Sequence, residues 1–298
     1  MSLAKDLLQT MRPKQWTKNA LVFIGFIFTL NQYWTLFSAT MWEWLGRTSL
    51  AFLLLCAASS AVYILNDVLD MDKDRSHPVK RNRPLPAGRL HPAQAMAAML
   101  LLLVATIPIS FGLSPLLGII VVGYFLLMVA YSFWLKNVVL IDIFTIAVGF
   151  VLRAVAGAVV INVPISPWLY LVTLLGALFI GFGKRRHELI LLNDGATNHR
   201  QILAEYTPDL LEQIITIVIS STVMAYSLYT FSAENLPKNH AMMLTIPFAL
   251  YGAFRYLYLI HLRNEGGSPE EIVLKDRPIL LDIGLWGLSV LGVLYFFR

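Results

Sequence analysis

Apolar stretches of about 17–23 residues recur along the whole chain, each long enough to cross a hydrocarbon core at roughly 1.5 Å per residue of helix. They cover approximately 20–38, 47–65, 94–112, 115–134, 139–161, 168–183, 211–231, 241–261 and 279–297. Inside a bilayer each span must satisfy its own backbone hydrogen bonds or belong to a closed barrel. The period-2 alternation of a barrel is missing from these stretches, so the sequence predicts an all-α, polytopic membrane protein with nine transmembrane helices. Composition agrees: 57% of residues are hydrophobic, 14% are charged and the mean hydropathy is +0.67, which excludes a soluble domain built around one core.

Nine crossings that start inside put most of the 23 lysines and arginines on one side. These are Lys5, Arg12, Lys14 and Lys18; the run from Lys73 to Arg89; Lys136; Lys184, Arg185, Arg186 and Arg200; and Arg263, Lys275 and Arg277. Only Arg47, Lys238 and Arg298 fall opposite, and Arg153 and Arg255 fall within spans. The positive-inside rule makes the basic side cytoplasmic, together with the N-terminus. The first apolar run is long, follows four basic groups and lacks a small-residue cleavage site, so it is expected to remain in the mature chain. Cys56 is the single cysteine and reads as a small packing residue.

Polar chemistry gathers on the basic side. The segment after the second span reads NDVLDMDKDRSHPVKRNRP over 66–84. If the helix continues past the membrane surface, Asp67, Asp70 and Asp74 stand at i, i+3 and i+7 and line one face, with Asn66 one turn from Asp70. Three neighbouring carboxylates repel one another without a cation, and hard oxygen ligands suit Mg²⁺ completed by phosphate oxygens. The plain alternative is a charged helix end at headgroup level. Lys80, Arg81, Arg83 and Arg89 follow at once and suit a diphosphate, or else anionic lipid. Pro78, Pro84, Pro86 and Pro92 forbid a long helix and imply a fixed cap.

A second concentration, GFGKRRHEL over 181–189, ends the sixth span with Lys184, Arg185 and Arg186; it can bind an anion or anchor the helix end. Tyr131 and Lys136 sit at the same level after the fourth span. Arg153 within a span requires an acid, helix carbonyls or a lipid phosphate as partner. Lys275, Asp276 and Arg277 read as a local structural pair.

From Asn66 to Asp74 the chain resembles the UbiA-type intramembrane prenyltransferase superfamily, whose members carry NDxxDxxxD after the second span and hold Mg²⁺ and a diphosphate with it. The resemblance covers essentially the whole chain. It implies a single domain over 1–298, nine helices around a cavity open to the cytoplasm, and cytoplasmic cap loops at about 66–93 and 184–210. Most members transfer a prenyl chain to an aromatic acceptor and carry a second DxxxD near the end of the sixth helix, where this chain has GKRRHEL with Glu188 as the one acid. That departure, with RPKQWTKN at 12–19, FVLRAVAGA at 150–158 and KDRP at 275–278, resembles the decaprenyl-phosphate phosphoribosyltransferase branch.

The branch implies transfer of a 5-phosphoribosyl group from phosphoribosyl diphosphate to a polyprenyl phosphate lipid in a bacterial inner membrane, toward a lipid-linked arabinose precursor for the cell envelope. Carried onto this sequence, Asp67, Asp70 and Asp74 are the catalytic and metal residues. Asn66, Lys14, Lys18, Lys80, Arg81, Arg83, Tyr131 and Lys136 contact substrate, and Lys184 and Arg185 take the 5-phosphate. The lipid phosphate is already ionised at neutral pH, so no general base is expected. The expected partners are the two substrates and the membrane, with a homo-oligomer left open and no nucleic acid. Two other readings stand beside this one. An aromatic prenyltransferase lacks its second DxxxD here, and an anionic solute or lipid transporter would show repeated halves.

Overall fold

The computed structural model describes residues 3–76, 80–191, 201–262, 272 and 275–298. Pro78, Arg200, Arg263 and the stretch 192–200 of the second expected cap loop lie outside them. The α-helices in chain order are α1 (Leu3–Met11), α2 (Phe23–Ile27), α3 (Ala39–Leu69), α4 (Met71–Arg75), α5 (Pro92–Leu113), α6 (Pro115–Phe133), α7 (Ile141–Val160), α8 (Pro167–Leu191), α9 (Pro208–Ser232), α10 (Ile246–Leu262) and α11 (Arg277–Phe296). All regular structure among the described residues is helical, and eight helices there are long and apolar enough to cross a membrane: α3, α5 to α9, α10 with its lead-in Ala241–Thr245, and α11.

Local chemistry sets the helix ends. Proline, whose missing N–H is lost in the first turn anyway, opens α5, α6, α8 and α9 and is second in α11. Ser38, Thr207 and Asp276 accept hydrogen bonds from Met41, Leu210 and Ile279 N–H at the starts of α3, α9 and α11. Asp276 also pairs with Arg255 at 2.8 Å, so the KDRP segment joins α11 to α10, as a structural pair would. Leu100, Leu101, Val104, Ile217 and Leu288 are each more than half exposed, apolar faces suited to hydrocarbon rather than water.

The first expected span differs from its expectation. Residues Pro13–Val22 form a 3-10 helix that passes into α2, and 28–38 fold into a compact turn. With three residues per turn, Trp16, Asn19 and Val22 fall on one face. Trp16 donates to Ser60 at 3.0 Å, Asn19 to Cys56 and Ser59 on α3, and Val22 is fully buried. The segment runs from the Asp67 end of α3 to the far end of the bundle, where Arg298 donates to the Phe28 and Leu30 carbonyls at 2.9 and 3.0 Å. Its ten 3-10 and five α residues span roughly 27 Å at about 2.0 and 1.5 Å per residue.

The segment packs closely against α7. A Cβ on Gly157 would lie 1.8 Å from the Val22 carbonyl oxygen, and one on Gly25 would lie 3.2 Å from Ala158 backbone. Small residues at a membrane helix contact let backbones meet. Beside this contact Arg153 donates to Asn19 Oδ1 and Tyr124 Oη, both at 2.7 Å, with its guanidinium over the rings of Tyr124 and Phe150 at 4.8 and 5.1 Å. Among the described residues no carboxylate pairs with it, so neutral oxygens and ring faces take the part expected of an acid, carbonyl or lipid phosphate. Gly157→Ala should destabilise the protein by about 3 kcal/mol, the upper part of the overpacking range. The check is the thermal unfolding midpoint in detergent, with Gly46→Ala, where an added Cβ meets nothing within 4 Å, unchanged or slightly more stable.

Candidate active site

Helix α3 has 31 residues, about 46 Å of helix against a hydrocarbon core of roughly 30 Å, so it can protrude from the core. Its last turn carries Asn66 and Asp67. Asp70 then bends the chain at φ −94°, ψ 4° and α4 carries Asp74. Hydrogen bonds from Asp70 N to Asn66 O (2.9 Å) and from Asp74 N to Asp70 O (2.8 Å) keep the helical spacing through the bend. Asp67 and Asp74 meet at Arg83, while Asp70 pairs separately with Lys136. Asp67 and Asp74 are buried and Asp70 is partly open.

Four cations meet these acids. Arg83 Nη1 lies 3.2 Å from Asp67 Oδ1 and 2.6 Å from Asp74 Oδ2, so one nitrogen bridges the first and third acids. Arg12 pairs with Asp67, Lys80 approaches Asp74 at 3.8 Å, and Lys136 reaches Asp70 at 3.2 Å. Asn66 Oδ1 accepts from the buried Ser132 hydroxyl. Leu85 and Leu90 of the cap loop are buried against Ile64 and Ala95, and Arg89 pairs with Asp6 of α1 at 3.1 Å. The cap is thus fastened from below by apolar contact and from the side by an ion pair.

Arg12 and Ser132 were not among the candidates read from the sequence. Arg12 counted only as a basic topology residue, yet it sits at the joint between α1 and the 3-10 segment in the left-handed region, φ 54°, ψ 64°, directly before Pro13. That conformation is unfavourable for a non-glycine residue preceding proline. The guanidinium stacks over Tyr63 at 5.0 Å on its way to Asp67. The remaining candidates are dispersed. Tyr131 and Lys18 are half-buried, while Lys14 and Arg81 are exposed and pair with no acid among the described residues.

The basic second motif is divided between three settings. Lys184 is exposed. Arg185 is 4% exposed and held by Asp142 of α7 and by Glu188 at 2.6 Å, with no partner for its Nε among the described residues. Arg186 ties α8 to Glu212 of α9 at 2.7 Å and to the Ile260 carbonyl of α10 at 3.2 Å. Two carboxylates therefore already meet the charge of Arg185, one of the two residues expected at the 5-phosphate. A further cavity of about 150 Å³ lies toward the other end of the bundle, lined by Phe28, Trp168, Tyr226, Tyr229 and Trp286.

A helical bundle with eight helices long and apolar enough to cross a membrane, and with acids, arginines and lysines interlocked at one end, defines a multi-pass membrane protein. Residues 20–270 match the model of the UbiA prenyltransferase family. A decaprenyl-phosphate phosphoribosyltransferase of Mycolicibacterium smegmatis is 33% identical over 99% of this chain and 94% of its own length. One from Corynebacterium glutamicum is 32% identical over 99% of this chain and 88% of its own. The structure of a UbiA homolog from Archaeoglobus fulgidus bound to GPP and Mg²⁺ superposes with a TM-score of 0.74 at 17% identity, covering 97% of this chain and 99% of that one. The chain belongs to the UbiA prenyltransferase family.

Asp142→Asn should leave Arg185 buried with only Glu188 to meet its charge. Breaking a buried pair in this way costs about 3 kcal/mol or more. The expected result is a lower unfolding midpoint in detergent than for Asp72→Asn, whose carboxylate is exposed and paired only with Arg75 at 2.9 Å.

Proposed function

We propose that this protein transfers a 5-phosphoribosyl group from phosphoribosyl diphosphate to a polyprenyl phosphate, releasing pyrophosphate. The observation that carries the reading is the pairing of an acidic first motif with a second motif that is basic rather than acidic, in a chain about one-third identical to decaprenyl-phosphate phosphoribosyltransferases over nearly its full length. An aromatic prenyltransferase would use a second acidic motif, and here 183–189 read GKRRHEL with Glu188 as the one acid. The lipid product would serve as an arabinose precursor for the cell envelope. The basic distribution supports a cytoplasmic site at the inner face of a bacterial membrane, with the Pro13–Ile27 segment as the ninth crossing.

Mg²⁺ fits the donor set. Among the described residues no three acids, histidines or cysteines are already gathered around a metal position, but Asp67 and Asp74 both touch one Arg83 nitrogen. Their oxygens therefore face a common point where cationic charge is needed, and carboxylates are the hard ligands magnesium prefers. Asp67, Asp70 and Asp74 would hold the ion, with Asn66 beside them. Bound there, it would neutralise charge on a leaving diphosphate.

The chain's own residues do the rest. Arg12, Arg83, Lys80 and Lys136 line the acids and are the cations that would contact diphosphate oxygens, with Lys14, Lys18, Arg81 and Tyr131 as outer contacts. Lys184 meets the 5-phosphate. A lipid phosphate oxygen forms the new bond to C1 as the C1–O bond to diphosphate breaks, and the leaving pyrophosphate takes the bonding pair. Charge rises on the leaving oxygens in the transition state, so fixed cations there lower the barrier. The attacking phosphate is an anion already, so no side chain must remove a proton.

Purified protein in detergent with Mg²⁺ should form pyrophosphate and a phosphoribosylated lipid from phosphoribosyl diphosphate and a polyprenyl phosphate. Turnover of a prenyl diphosphate with an aromatic acid, and none of the ribosyl donor, would refute the reading. Asp70→Asn should lower kcat at least about 100-fold, the usual scale for losing a group that stabilises transition-state charge. Full activity in that variant would remove the motif from the mechanism.

A further inference from the structure

The linker between α6 and α7 joins the two motifs. Near its start Lys136 pairs with Asp70 of the first motif at 3.2 Å. At its end Asp142 pairs with the buried Arg185 of the second. Between them Leu140 has φ 65°, ψ −43°, and Ile141 N donates to Val139 O at 2.8 Å, a γ-turn of the rare hand that a branched residue adopts only when its surroundings enforce it.

The enforcing group is Tyr206, which lies 4% exposed between the 3-10 turn Gln201–Glu205 and α9. Its hydroxyl accepts the Leu140 N–H at 2.7 Å and donates to Asp142 Oδ1 at 3.3 Å. It thus holds the strained residue and the carboxylate that follows it. Burial raises the Tyr206 phenol pKa above its ordinary value, against the lowering effect of the Leu140 N–H, so the proton needed for the second bond is kept at neutral pH.

Resting on the functional reading above, we propose that Tyr206 is a positioning residue for the reaction: by fixing the Leu140 turn and Asp142 it sets the linker so that Lys136 stands over Asp70, coupling the two motifs. Tyr206 lies outside the first motif, and its effect on substrate passes through Lys136. The ion pair of Asp142 with Arg185 anchors the same linker end to α8, which accounts for an arginine in the anion-binding motif whose charge is met by acids.

The test is a double-mutant cycle on the full-length protein in detergent with Mg²⁺. Tyr206→Phe keeps the buried ring and removes both hydrogen bonds. It should raise KM for phosphoribosyl diphosphate about tenfold while kcat changes less than about threefold, since what is lost is placement of a binding group. In a Lys136→Met background the same change should alter KM by less than about twofold, the mark of two residues acting through one contact. Lys136→Arg, which restores a cation, should bring the sensitivity back.

Titration calorimetry with magnesium pyrophosphate reads the same cycle without turnover, and unfolding midpoints report whether each variant is folded. Equal effects of Tyr206→Phe with and without Lys136, or no effect in the wild-type background, overturn the proposal. A wild-type protein that binds magnesium pyrophosphate but does not transfer phosphoribose refutes the functional reading instead, and the calorimetric cycle still decides the role of Tyr206.

Discussion

Arg83 bridges Asp67 and Asp74, and much of the architecture at this end of the bundle follows from the need to hold that charge. Two buried carboxylates, Asp67 in the last turn of α3 and Asp74 on the short α4 that follows, are unstable neighbours unless cations sit within a few ångströms, where attraction in a partly dry site far exceeds its value in water. The cations that meet them stand on neither α3 nor α4. They come from the joint after α1, the cap loop and the α6–α7 linker. Each contributor arrives on its own support: Arg12 over Tyr63, Arg83 above the buried Leu85 and Leu90, and Lys136 on a linker pinned by Tyr206. The pairing thus orders segments that have little regular structure of their own, and it leaves the acids neutralised by groups that diphosphate oxygens can also recruit.

The membrane interior imposes the complementary constraint. Arg12 can reach Asp67 because the segment behind it is locked between α3 and α7 by Trp16, Asn19 and Val22. That lock depends on Gly157, where the backbone of Val22 occupies the space of a side chain, and on Arg153, whose charge is met by Asn19, Tyr124 and two ring faces. A buried cation without an acid is tolerated because its hydrogen bonds and aromatic neighbours replace water. Arg153 and its partners thus pack beside the segment that leads to Arg12.

The second motif makes a related point about basic residues. Three consecutive cations, Lys184, Arg185 and Arg186, occupy successive positions on a helix about 100° apart and so meet three environments. One is exposed, one faces Asp142 and one faces Glu212. Charge density in the sequence overstates the number of cations that are free to hold a phosphate, because neighbouring helices present acids to two of them.

What the sequence alone determined follows from local periodicity. Uninterrupted apolar runs and the absence of alternation required transmembrane helices, and the NDxxDxxxD spacing drew attention to Asp67, Asp70 and Asp74, of which Asp67 and Asp74 meet at Arg83. Other features depend on contacts between residues far apart in the chain, and only the tertiary structure decided them. The first apolar stretch begins as a 3-10 helix whose buried face meets α3 and α7 closely. Arg12 joined the site because it folds back on Asp67, 55 positions away. Ser132 meets Asn66 across 66 positions, and Tyr206 meets Leu140 across another 66. A spacing of three or four residues carries its geometry within one helix, whereas these pairings exist only after the helices have packed.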